Sequence, residues 1–544
     1  MKLADNYMKC LQGIFLLIIS VFGLFCNDSY SQSVPKYYQN PILSGFYPDP
    51  SICRVGDDYY MVNSSFEWFP AIPIHHSKDL VNWKLIGHGL TNKTQINIHS
   101  NVNNSRGIYA PTIRYHSGIF YIISTCVECG GNFYITSKSP TGPWSHPIWL
   151  EEAPGIDPSL FWDDDGQCYY IGNENVSENT RRWIGESFIW MQEIDLEKGK
   201  LIGERKTLTY GHAINARWTE APHLYKINGK YLLMVAEGGS SHNHATTVFH
   251  SDNLWGPYIA DQANPVFTHR HLGKNYPLWA VGHTDLVQTQ KGDWWAVLHA
   301  KHRVDGYSIL ARETYLVSVT FQEQTPLFNP EIGILESKNM CPDLPWSPNK
   351  LNNTIDNFQS NELNSEWNFL RTPQYKWYSF KEDELVLDVR PKKIERLSNP
   401  SFIAKRVTNH EFIAKTTMKF KPKNKHEKAG IVLYRNANSN FQFLKQKDSI
   451  VLIKNTIEGK KTIAKIKFKS TRVILKIEAY KPNLATFSFS EDGLKFEQVG
   501  ESQDLSNLAD EIGVRFNGLY IGMYATSSNK LSKNKAYFDW FVYK

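Results

Sequence analysis

Five times between residues 48 and 286 the chain repeats one short phrase: PDPSI (48–52), YAPTI (109–113), IDPSL (156–160), EAPHL (220–224) and GHTDL (282–286). A charged, Gly-bearing turn and an aromatic strand follow each copy, as in VGDDYYMV, YHSGIFYIIS, DDDGQCYYIG, INGKYLLMV and QKGDWWAVL. Strand, hairpin and strand recurring every 47 to 64 residues is the pattern of a β-propeller, and five copies predict five blades. The first strand of a propeller blade lines the central channel, so the openings of the copies converge on one rim. Three copies open with an acid. Asp49, Asp157 and Glu220 are therefore expected to meet there.

At 544 residues the chain exceeds a single core. The propeller is expected to fill residues 32–345, because MCPDLPWSPNK (340–350) carries three prolines in seven residues and reads as a stiff linker without ladder hydrogen bonds. Beyond it, alternating segments such as FIAKTTMKF, GIVLYR, KTIAKIKFK and RVILKIEAY predict half-buried antiparallel strands, and the turns EGKK, KPN and SEDG separate them. Residues 351–544 thus read as a β-sandwich of jelly-roll type, and the fold class as all-β. This half holds 33 basic and 21 acidic residues, a net +12 against +6 for the whole chain. The contrast predicts two bodies with different surfaces, and the excess lysines are read as a solvated sheet face instead of a nucleic-acid or membrane contact.

The N-terminus has the form of a targeting segment. Lys9 precedes the apolar run LQGIFLLIISVFGLF (11–25), too short for a membrane span, and Ser29-Tyr30-Ser31 supplies a small-x-small cleavage pattern. A signal peptide over residues 1–31 and a secreted or periplasmic product are expected, with lipid anchoring through Cys26 as the alternative. Cleavage leaves Cys53, Cys126, Cys129, Cys168 and Cys341, an odd number. The Cys126-Val-Glu-Cys129 spacing suits a metal knuckle or a redox pair. No second pair completes a zinc site, which favours incidental cysteines.

Three acids on one rim suit glycosidic cleavage, in which one carboxyl stays protonated to release the leaving oxygen and another stays ionised. Crowding raises the pKa of at least one of them. The competing explanation, that Asp-Pro pairs merely form turns, covers Asp49 and Asp157 but not Glu220.

The segments NPILSGFYPDPSI, SSFEWFPAIPIHHSKDLVNWKLIGH, RGIYAPTIRYHSGIFYI, GIDPSLFWDDDG, EAPHLYKINGKYLLMVAEGG, GHTDLV and ARETYL together resemble family 43 of the glycoside hydrolases, in its two-domain β-xylosidase and α-L-arabinofuranosidase branch. The resemblance runs from about Tyr38 to Lys544. It implies a five-bladed propeller followed by a concanavalin-like sandwich, and an inverting exo-acting enzyme on xylan or arabinoxylan oligosaccharides. By the same resemblance Asp49 is the general base, Glu220 the general acid, and Asp157 the carboxylate that tunes and orients the acid. Phe66 forms an aromatic wall of the sugar pocket, Arg312 reaches sugar hydroxyls, and His283 lies near the channel axis. No cofactor is required, and the resemblance admits a cation, calcium, beside His283. The chain departs from the branch at Tyr109, where many β-xylosidases carry Trp, and in the insertion ENVSENTRRWIGESFIW (174–190). His242 and His244 in GGSSHNHATT lack a third ligand for a metal, and DDDG (163–166) reads as a hairpin turn. The alternatives are an endo-arabinanase of the same family, a fructan hydrolase on a similar propeller, and a glycan-binding module without activity.

Overall fold

The structure is a computed structural model that describes residues 35–349, 354–512 and 516–544. Five antiparallel blades, three of four strands and two of five, follow one another along the chain, in the order the repeats predict. Their first strands are Ser51–Val55, Thr112–His116, Ser159–Trp162, Glu220–Ile227 and Leu278–Gln288. Each of these packs beside the first strand of the next blade, and the fifth returns to the first, so the five strands form the innermost ring. Outer strands face water: Lys200–Thr209 at the edge of the third blade is exposed along most of its length. The fold is held by apolar clusters between blades, such as Ile123, Tyr134, Leu160 and Tyr170 between the second and third. Phe161, Ile171, Leu224 and Leu233 do the same between the third and fourth. Large inward side chains at alternating positions of facing sheets are what the aromatic repeat strands supply.

The ring is closed by chain ends that lie outside the repeats. Tyr37–Gln39 pairs antiparallel with Lys338–Met340. Asn40 ties in the fifth blade, donating to the Leu316 carbonyl at 2.9 Å and accepting the Leu316 N–H at 3.0 Å.

The second half is a sandwich of a nine-stranded and an eight-stranded antiparallel sheet. In Arg472–Tyr480 exposed or half-buried residues alternate with buried ones, the period-2 pattern of a strand with one wet face. Among the described residues the only helices are three 3₁₀ turns, and no helix is long and apolar enough to cross a membrane. The two halves are less separate than their charge contrast suggests. Trp68–Phe69, from the first blade, pairs with Asn368–Leu370 and becomes an edge strand of the eight-stranded sheet. One apolar cluster runs from Val62 and Ile72 of the propeller to Ile403 and Phe443 of the sandwich.

The cysteine expectation needs correction. Cys126 and Cys129 form a disulfide, while Cys53, Cys168 and Cys341 are free. The hairpin joining Ile119–Val127 to Gly131–Ser137 brings the two Cα atoms to 5.1 Å, within bonding range for a disulfide. The expected signal segment and Cys26 fall on residues outside those described.

Candidate active site

The repeat openings differ in how they turn a side chain into the channel. Asp49 and Asp157 stand two residues before their strands, each immediately before proline, with φ of 53° at both. Ala221 takes the same left-handed place before Pro222, with φ of 51°, so in the fourth copy the acid arrives one residue earlier, as Glu220. His283 holds the corresponding kink in the fifth copy, with φ of 56°. Left-handed backbone at non-glycine residues is costly and persists where the surroundings impose it, as at active sites.

All seven residues singled out from the sequence line one cavity of about 540 Å³: Asp49, Phe66, Tyr109, Asp157, Glu220, His283 and Arg312. Tyr109 has its hydroxyl tied down, donating to the Ser105 carbonyl at 2.8 Å and accepting from Arg106 at 3.0 Å. Its ring lies 5.0 Å from that of Phe66. Arg312 pairs with Asp49 through Nη1, while its Nη2 has no hydrogen-bond partner.

The sandwich supplies a wall that the sequence did not announce. Asp510, Glu511 and Phe516 reach the same cavity. The Phe516 ring lies parallel to that of Phe66, 6.3 Å away with 2° between planes, and the Arg312 guanidinium sits 5.3 Å from the Phe516 centroid. Asp510 is anchored by pairing with Lys301 of the fifth blade and with Arg435 at 2.7 Å. Glu511 accepts the Ser308 N–H at 2.9 Å, and Asn517 donates to Glu67 at 2.9 Å. Asp510 and Glu511 lie in a short 3₁₀ turn, so no periodic signal pointed to them.

The three rim acids do not share one charge state. Burial alone would raise Asp49, but the Arg312 guanidinium, His283 and His299 outweigh it and hold the carboxyl well below the usual range. His299 Nδ1 stands 3.1 Å from Oδ1, and the Ser64 hydroxyl donates to Oδ2 at 2.5 Å. Glu220 is pushed the other way, up to about 8, by burial first and by the nearby Asp49 charge second. Asp157 is also raised well above its ordinary value, by burial and then by Glu220 and Asp49. At neutral pH the site therefore presents an ionised Asp49 beside a protonated Glu220, the two charge states that a general base and a general acid require, with Asp157 also shifted toward its neutral form.

A fourth acid went unnoticed in the sequence because it sits deeper in its repeat. Asp285, the D of GHTDL, is fully buried in the channel. It binds Arg114 of the second blade at 2.8 and 3.1 Å, the Ser51 hydroxyl of the first at 2.6 Å and the Tyr225 hydroxyl of the fourth at 2.6 Å. Four blades are thus tied at one carboxylate. Burial would raise it, but Arg114 and His223 hold Asp285 well below the carboxylate range.

Among the described residues, the one group of three potential metal ligands is Asp49, His283 and His299, with donor atoms within 4.8 Å of one another. Calcium takes six to eight oxygen ligands, whereas this set offers two imidazoles and a carboxylate already paired to Arg312, so it fits calcium poorly. His242 and His244 diverge: His244 is buried, stacked on His299 at 5.0 Å, while His242 is half-exposed. DDDG forms a turn closed by the Gly166 N–H to the Asp163 carbonyl at 2.9 Å, with Asp163 paired to Lys226 at 2.8 Å.

Comparison with known proteins gives the same outline. The sequence profile "Glycosyl hydrolases family 43" matches residues 38–326, and "Beta xylosidase C-terminal Concanavalin A-like domain" matches residues 355–544. A xylosidase/arabinosidase of Butyrivibrio fibrisolvens is 40% identical over 92% of this chain and 98% of its own length. A non-reducing end alpha-L-arabinofuranosidase of Bacteroides ovatus is 34% identical over 97% of this chain and 98% of its own. Among solved structures, a xylan beta-1,4-xylosidase from Bacillus halodurans superimposes with a TM-score of 0.87 at 32% identity, covering 93% of this chain and 100% of the other.

Proposed function

The chain belongs to family 43 of the glycosyl hydrolases, and on that premise we propose that it releases single xylose or arabinofuranose residues from the non-reducing ends of xylan-derived oligosaccharides, inverting the anomeric centre. The observation that carries this reading is the opposed displacement of two carboxyls in one pocket, Asp49 downward and Glu220 up to about 8. Asp49 takes a proton from water as the water oxygen bonds to the anomeric carbon. Glu220 gives its proton to the glycosidic oxygen as the carbon–oxygen bond breaks. Asp157, raised by burial and then by the charges of Glu220 and Asp49, lines the same cavity and orients the acid. The partnerless Nη2 of Arg312 is placed to bind sugar hydroxyls, and Phe66, Tyr109 and Phe516 form the walls.

Release of one sugar at a time, instead of endo cleavage, is supported by the sandwich loop, since Phe516, Asp510 and Glu511 close one side of the cavity. Both pentoses are kept because the relatives carry both activities in their names, and because Tyr109 shapes the same wall as Phe66. A location outside the cytoplasm is supported by the apolar run 11–25 and by the Cys126–Cys129 disulfide.

The test is proton NMR of the first turnovers on an aryl β-xyloside and an aryl α-L-arabinofuranoside. The first sugar signals should be α-xylose and β-arabinofuranose respectively. A product that first appears with the substrate's own configuration overturns the roles given to Asp49 and Glu220.

A further inference from the structure

Trp218 lies two residues before Glu220 on the wall of the same cavity, and no step of the proposed cleavage uses it. Its side chain is 37% exposed, and its φ of 48° places a bulky residue in left-handed backbone. Such a conformation persists only where neighbours impose it. Here they come from the insertion over residues 174–190. The Trp218 N–H donates to the Gly185 carbonyl at 2.7 Å, the Trp183 indole donates to the Ala216 carbonyl at 2.6 Å, and the Thr219 N–H donates to the Ser187 hydroxyl at 2.7 Å.

The indole also rests on two glycines. A Cβ at Gly185 would stand 2.9 Å from Trp218 Cε2, and one at Gly239 would stand 3.0 Å from Cε3. The ring is thus seated against bare backbone, with its open part toward the cavity that holds Glu220. A fixed, partly exposed indole beside a general acid suits the apolar C–H face of a pyranose ring.

We propose that Trp218, held by the 174–190 insertion, is the platform for the leaving-group sugar, so that the enzyme recognises an oligosaccharide leaving group of pyranose units beyond the pentose it releases. A sugar seated there brings its glycosidic oxygen to the carboxyl that protonates it. This rests on the pentosidase reading, and the experiment separates the two. Purified wild type, Trp218→Ala and Trp218→Phe are assayed on β-1,4-xylobiose and on β-xylosyl fluoride. The fluoride carries the same transferred sugar but no leaving-group ring and needs no acid for departure.

Trp218→Ala is expected to raise KM for xylobiose about tenfold, with a smaller change in kcat, and to leave the fluoride within about twofold of wild type. Trp218→Phe should recover most of the loss. Equal losses on both substrates would show a structural role and overturn the platform, as would unchanged KM for xylobiose. Wild-type inactivity on both substrates would instead overturn the β-xylosidase reading on which the platform rests.

Discussion

The rim and the floor of the propeller channel both carry buried acids, yet Glu220 and Asp157 at the rim titrate in the opposite direction from Asp285 on the floor. At the rim, burial raises Glu220 to about 8 and raises Asp157 as well, nearby carboxyls add to it, and neither has a cation of its own to offset it. On the floor, Asp285 has a bidentate guanidinium and two hydroxyl donors, and it stays charged. Both acids are removed from water, so desolvation alone does not separate them. Partners do. A carboxyl deprived of partners holds a proton that it can give away, whereas a fully partnered one serves as a tie between blades.

The comparison can be broken by one chemical change made in both places. Glu220→Gln replaces a protonated carboxyl by a neutral amide of the same shape. It should lower kcat on xylobiose by about 10²–10⁴-fold, with a much smaller loss on an aryl glycoside whose leaving group needs no proton, and leave the unfolding midpoint unchanged. Equal losses on both substrates would remove Glu220 from the role of acid. Asp285→Asn should do the reverse. It leaves Arg114 buried without its counter-charge, and denaturant unfolding should show a loss of about 3 kcal/mol, while activity per folded molecule remains near wild type. A loss of activity in Asp285→Asn without a loss of stability would join the floor to the chemistry and end the distinction.

The rim was legible in the sequence and the floor was not, for a reason that lies in the repeat itself. Asp49 and Asp157 stand beside the proline of their copies and Glu220 one residue further ahead of it, where the shared phrase draws attention. Asp285 occupies the fourth place of GHTDL, where other copies carry Ser, Thr or His, and its partner Arg114 lies just beyond the second copy. Period-2 alternation revealed the sandwich strands, but Phe516 and Asp510 lie between strands, and only the folded chain brings them to Phe66 and Lys301. The disulfide was misjudged for a related reason. Spacing alone does not say that Cys126 lies at the end of a hairpin strand and Cys129 in the turn that follows it. Trp218 was visible as a residue, but its seat between Gly185 and Gly239 joins two blades.

The smallest effect, and the one that sharpens the comparison most, concerns the pH dependence of the rim. The proposed cleavage needs Asp49 ionised and Glu220 protonated. Asp49 is held below its ordinary value, so kcat/KM should show no acid limb from it above about pH 4. Glu220 is raised, so activity is present below its pKa and lost as pH climbs through about 8. Asp157 also resists ionisation, through burial and repulsion from Glu220 and Asp49. If it remains protonated across the working range, it adds no charge against Glu220. An amide in its place then changes little, and Asp157→Asn should keep the alkaline limb within about half a pH unit of wild type even where kcat itself falls. A limb displaced to lower pH by a unit or more would show that Asp157 is charged in the native site and raises Glu220 by repulsion, making the rim a cluster of charges instead of a cluster of held protons.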